Sequence, residues 1–248
     1  LNATTGPLLL NGGTLRNGTV TEDAANGLRF TSSSQNFLEE LTLDGDLNLT
    51  EGTARVRVRN GLTVNFGKVR LNNNGAIGFE GTQNFAGEIV FEGDTGFVGI
   101  EGNTTLTLAP TAVVHGKTGR LGQALFVGGT AVLVNQGAIR ADVAAGTITV
   151  NPNTFTNTGV LESLNGGTLA ISPTTWTQNG TVRPGPGAIH LGGAVTFGPS
   201  NTLQANGGVL NMTGSVDLGG GTLALNATTG PLRLESGTLR NGTVTQVE

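Results

Sequence analysis

Apolar residues in the middle of the chain fall in short alternating patches. Thr147-Ile148-Thr149-Val150, Thr154-Phe155-Thr156, Thr168-Leu169-Ala170-Ile171 and Thr175-Trp176-Thr177 each point every second side chain toward one environment. Period-two alternation over three to five residues is a strand signal. Gly, Asn or Pro separates the patches. These residues supply the left-handed or pre-set backbone that sharp corners need. The pattern predicts an all-β chain of short strands joined by tight corners.

The patches recur at a fixed distance. Asn135, Asn157 and Asn179 are spaced by 22 residues, and Phe155, Trp176 and Phe197 by 21. Thr147 and Thr168, Val150 and Ile171, and Pro152 and Pro173 also differ by 21. A unit this short cannot bury its own apolar side, but stacked units bury it against one another. The expected architecture is a single-stranded parallel β-helix (a β-solenoid) with 21–22 residues per coil in the regular part. Asn135, Asn157 and Asn179 are then expected to stack as an amide ladder, and Phe155, Trp176 and Phe197 as an aromatic one. The hairpin-type pairs Asn17-Gly18, Asn60-Gly61 and Asn241-Gly242 fit an antiparallel sandwich as well. A sandwich, however, gives no reason for like residues to recur every 21–22 positions.

A longer repeat encloses the short one. Residues 1–21 read LNATTGPLLLNGGTLRNGTVT and residues 225–245 read LNATTGPLRLESGTLRNGTVT, so 18 of 21 positions match at an offset of 224. The changes are Leu9 to Arg233, Asn11 to Glu235 and Gly12 to Ser236, while Leu8 and Leu10 persist as Leu232 and Leu234. Inward positions are held and outward ones are free. Residues 1–224 therefore read as one period of a tandem repeat, about ten coils and on the order of 50 Å long. Residues 225–248 read as the start of the next. The opening Leu-Asn-Ala-Thr-Thr-Gly, without Met, reads as part of a longer protein.

Composition narrows the classes. With 42 Gly, 12% charged residues and few Lys, Glu or Gln, a helical bundle is excluded. No Cys means no disulfide scaffold and no thiolate metal site. Thirteen basic and 17 acidic residues leave no positive excess to displace counterions from nucleic acid. No apolar run approaches the roughly 20 residues of a membrane-spanning helix. From Val143 to Leu232 the charged residues are Glu162, Arg183 and Asp217 alone. A neutral surface of Thr, Asn, Ser, Gly and Ala is cheaply desolvated against another copy.

The pattern Asn-x-Gly-apolar-apolar, followed by Gly-Thr-Leu-x-Leu-type strands, resembles the right-handed parallel β-helix of bacterial surface proteins. Filamentous haemagglutinin-type adhesins and autotransporter passenger domains are the comparison, and residues 135–197 and the two end segments carry it. The resemblance implies a right-handed coil, an extracellular or cell-surface location and a role as adhesin or surface fibre. The expected function is a non-enzymatic structural or adhesive segment that self-associates end to end or laterally. It needs no cofactor, and its partners are other copies of itself and surface glycans.

Other parallel β-helices are pectate-lyase-like, so a glycan-binding or glycan-cleaving role is the alternative. Twelve of the 17 acids lie between Glu22 and Glu101. Their closest local pair, Asp44-Gly45-Asp46, reads as a solvated corner. Arg55, Arg57 and Arg59 alternate with Val56 and Val58, which predicts an outward stripe of three guanidinium groups. These three are the ligand-binding candidates, for an anionic glycan. The competing use is pairing with Glu39, Glu40, Glu80 or Glu88 of adjacent coils. His115 and His190 stand alone in sequence, and no catalytic or metal-ligating residue is assigned.

Overall fold

The computed structural model describes residues 1–23 and 25–246. It is all-β: 31 strands and no helix among the described residues. Every strand pair is parallel, and the strands stack on three sides of a coil. The first side is an 11-stranded sheet, and the second and third sides are each built on an 8-stranded sheet. This is a β-solenoid of about eleven turns.

One turn shows the path. The chain runs along the first side at Gly75–Glu80, the third at Gln83–Phe85 and the second at Glu88–Phe91. It then returns as Gly96–Glu101, directly above Gly75–Glu80. Alternation sends one residue in two to the axis. Ile77, Phe79, Phe85, Ile89, Phe91, Val98 and Ile100 are each at most 1% exposed. Burial of each such side chain contributes roughly 1.5–3 kcal/mol.

In the lowest turns the first and third sides are crossed by single long strands, Thr14–Thr21, Phe37–Asp44 and Arg55–Asn65. Each bends at a left-handed residue: Asn17, Glu40 and Asn60, with φ of 53°, 50° and 57°. Asn17-Gly18 and Asn60-Gly61 are therefore corners of a parallel coil rather than hairpin turns. The register shift between Glu39 and Leu41 accommodates the one extra residue of the next strand.

The regular coils carry the amide ladder, with one substitution. Asn135 lies beside Asn157, and Asn157 beside Gln178. Asn135 Nδ2 donates to Asn157 Oδ1 at 2.7 Å, and Asn157 Nδ2 donates to Gln178 Oε1 at 2.8 Å. The third rung is Gln178 because that coil is 21 residues long, not 22. Asn179 falls one position later, on the corner, where its Oδ1 accepts the Ser200 N–H at 2.9 Å. The aromatic series is corrected in the same way. Phe155 stacks on Trp176 at 5.6 Å, but Val195, not Phe197, lies next to Trp176. That coil advances only 19 residues, because its corners at 185–187 and 192–193 are each one residue shorter than those of the coil before. Phe197 instead lies beside Gln178 and closes the amide ladder.

The two copies of the 21-residue repeat use the same inward residues on different sides. In the first, Leu8–Leu10 lies under Leu28–Phe30 on the second side, and Thr14–Thr21 crosses the first and third. In the second, Leu232–Leu234 lies on Val209–Met212 of the first side, and Thr238–Arg240 on Ser215–Asp217 of the third. Thr243–Gln246 follows on Thr222–Leu225 of the second side. Thr222–Leu225 is the tenth second-side strand after Leu8–Leu10, and the repeat restarts one side later. The 224-residue period thus spans ten and one-third turns, about 21.7 residues each.

Candidate functional site

The arginine stripe lies low on the outer face of the first side, and its three members have different surroundings. Outward residues of successive strands form rows. One row reads Arg16, Glu39, Arg59, Glu80, Glu101. Charges alternate along it from Arg16 to Glu80. Arg16 pairs with Glu39 at 3.4 Å, and Arg59 pairs with Glu39 at 3.3 Å and with Glu80. Arg57, in the neighbouring row, also pairs with Glu80 and is 8% exposed. Both guanidinium groups lie over the Phe37 ring, Arg59 at 3.9 Å and Arg57 at 4.8 Å from its centre. Burial, and secondarily Arg59, hold the Arg57 guanidinium below its ordinary value, with Glu101 opposing. Arg57 and Arg59 thus hold adjacent coils together. Of the expected acidic partners, Glu39 and Glu80 face this stripe, while Glu88 pairs with Lys68 and His115 on the second side.

Arg55 is different. It makes no ion pair among the described residues. Its row runs Arg55, Ala76, Phe97, Arg120, Thr149. Above it the chain leaves the coil, and residues 122–131 form a loop that folds back over the face. Glu101 holds this loop: its carboxylate accepts the N–H groups of Leu125, Phe126 and Val127 at 2.8, 2.9 and 2.7 Å. Gly102 N–H also donates to the Val127 carbonyl at 3.0 Å. Glycine in the strands beneath makes room. A Cβ on Gly78 would come within 2.7 Å of the Phe126 ring, and one on Gly99 within 2.5 Å of the Glu101 carboxylate.

Two grooves meet at Phe97, and the loop walls the first of them. One, of about 380 Å³, is lined by Thr53, Arg55, Asn74, Ala76, Phe97, Leu125 and Phe126. The other, of about 320 Å³, is lined by residues that include Asp94, Phe97, Thr118, Arg120, Thr147 and Thr149. Phe97, Arg120 and the loop were not signalled by the sequence. The spacing of 21 from Arg55 to Ala76 to Phe97 is visible only once the coil register is known.

Other candidates are distributed elsewhere. Asp44 and Asp46 do not converge: Asp44 accepts from Asn65 at 3.0 Å, while Asp46 accepts from the Lys68 N–H at 3.0 Å. Another groove, lined by Glu22, Asp46, Arg29 and Arg70 among others, places Glu22 half-buried. Burial pushes the Glu22 carboxyl up, against the Leu28 N–H, which donates to it at 2.7 Å. His115 is not isolated in space. Its ring nitrogens lie 2.8 Å from Asp142 and 3.0 Å from Glu88. His190 lies 3.3 Å from the Asn211 amide. Among the described residues no group of three His, Asp or Glu gathers to hold a metal ion, and no helix is long and apolar enough to cross a membrane.

Comparison with protein-family models, with curated proteins and with solved structures finds no match.

Proposed function

We propose that the chain is a non-enzymatic structural and adhesive segment of a long, repetitive extracellular fibre, in which repeat follows repeat as one continuous coil. The observation that carries this reading is the stacking of residues 226–246 on the coils below them with Leu232, Leu234, Leu239 and Val244 facing inward. The first copy turns the same positions, Leu8, Leu10, Leu15 and Val20, toward the coil of residues 28–44. An interface between periods would thus repeat one already made inside this chain. In a solenoid, nearest-neighbour contacts of this kind add with coil number.

The third side supports lateral contact between rods. Its strands from Thr105–Leu108 to Ala194–Phe197 read TLTL, VLVN, TFTN, TWTQ and AVTF, with no charged residue. Such a face loses little on desolvation. The bacterial cell-surface setting rests on the resemblance to adhesin-type β-helices.

Electron microscopy of chains with one, two and three periods tests the proposal. At about 4.8 Å per turn, ten and one-third turns add about 50 Å of rod length per period. A length that fails to grow with period number, or separate beads on a flexible string, would refute it.

A further inference from the structure

Eleven of the 13 Lys and Arg residues are ion-paired among the described residues. The two without a carboxylate partner, Arg55 and Arg120, stand in one outward row, separated by Ala76 and Phe97. In a chain with net charge −4, leaving two cations of one row unpaired is the exception. Three rungs of about 4.8 Å put their backbones about 14 Å apart. Between them the partly exposed Phe97 divides the two grooves, and the anchored loop walls the Arg55 side with Leu125 and Phe126.

The geometry points to this trough as a binding site for a linear, carboxylate-bearing glycan. A guanidinium fork matches a carboxylate in two parallel hydrogen bonds. Two forks one trough-length apart fit a polymer with repeated carboxylates, not a single small anion. Phe97 offers a flat apolar platform for the C–H face of a sugar ring. Thr53, Asn74, Thr118, Thr147 and Thr149 supply the hydroxyl and amide groups that sugar hydroxyls need. An acidic peptide would use the two cations but leave this polar lining unused. Asp94, the one carboxylate lining the trough, is held by Lys117 at 2.5 Å. The loop is fixed by three hydrogen bonds to Glu101, so the wall is in place before a ligand arrives, which lowers the ordering cost of binding. The inference does not depend on the fibre reading.

Isothermal titration of the 248-residue chain with an oligogalacturonate tests it. The controls are the fully methyl-esterified oligomer and a polyglutamate peptide of the same charge. The expected result is binding of the uronate, weakened about tenfold or more by Arg55→Gln, by Arg120→Gln and by Phe97→Ala. Arg183→Gln, on the second side, should leave affinity unchanged. Circular dichroism of each variant establishes that the coil is intact. No uronate binding, equal binding of the ester or the peptide, or an equal loss with Arg183→Gln would each overturn the proposal.

Discussion

Replacing Asn157 with Ala cuts the buried amide ladder at its middle rung. Asn157 is 0% exposed and links two neighbours, accepting from Asn135 at 2.7 Å and donating to Gln178 at 2.8 Å. The variant leaves two buried groups behind. Asn135 Nδ2 keeps a long contact of 3.5 Å to the Val160 carbonyl and sits at the low end of the penalty for an orphaned polar group. Gln178 Oε1 has no other donor among the described residues and sits higher. At about 1–3 kcal/mol per orphan, the variant should lose about 3 kcal/mol. Converting the whole ladder to Leu, at positions 135, 157 and 178, removes donors and acceptors together. The Gly159 and Gly180 carbonyls that the ladder also touches keep the N–H groups of Thr181 and Thr202, each at 2.9 Å. The triple variant should therefore stay within about 1.5 kcal/mol of the parent. Urea unfolding followed by the fluorescence of Trp176, the sole tryptophan and two residues from Gln178, measures both. A loss under about 1 kcal/mol for Asn157→Ala, or a larger loss for the triple variant than for the single one, would refute the argument.

Two further outcomes follow from the site. Glu101→Ala removes the acceptor for three loop N–H groups, so hydrogen exchange at Leu125, Phe126 and Val127 should quicken by at least about tenfold, while the strands beneath keep their protection. Limited proteolysis should then cut within 122–131 first. Glu22, whose carboxyl is raised by burial, binds its proton more tightly folded than unfolded, so it opposes folding once pH rises above its folded value. Glu22→Gln should accordingly be more stable than the parent near neutrality, and the difference should close as pH falls below the ordinary carboxylate range, read by thermal melts across pH.

The coil was legible where its length is nearly constant. Between Asn135 and Gln178 successive turns advance 22 and 21 residues, so Asn157 and Trp176 could be placed over their partners from spacing alone. Where corner length varies, spacing misleads. The 19-residue step after Trp176 carried Phe197 past its expected neighbour, and the 27-residue step from Leu106 to Leu133 is lengthened by the loop at 122–131. Corner length is set by backbone turns and insertions, which leave no periodic apolar signature. The arginine stripe was legible as outward from Val56 and Val58. Which of its members is engaged depends on whether a carboxylate occupies the same row one coil away. Glu80 does so for Arg59, while Ala76 faces Arg55. A residue one turn off is 21 positions distant in sequence, so the division of roles within the stripe needed the register.

The fractional period links the fold to the proposed role. An apolar alternation such as Leu8-x-Leu10 fits any of the three sides, because each side asks only for a short strand with every second residue inward. The corner Asn does not discriminate either. Asn17 and Asn241 are equivalent in the repeat and share φ of 53°, yet one joins the first side to the third and the other joins the third to the second. Nothing in the local physics therefore forces a period to hold a whole number of turns. With ten and one-third, each repeat of the proposed array enters one side further round than the last. A feature fixed to one side of a single period, such as the Arg55–Phe97–Arg120 trough or the uncharged third side, then faces three directions over three periods. A whole-number period would line all the troughs along one edge, where a fibre lying against a neighbour could hide every one. The one-third offset keeps some exposed whichever edge is covered, so lateral packing and ligand capture can coexist on the same rod.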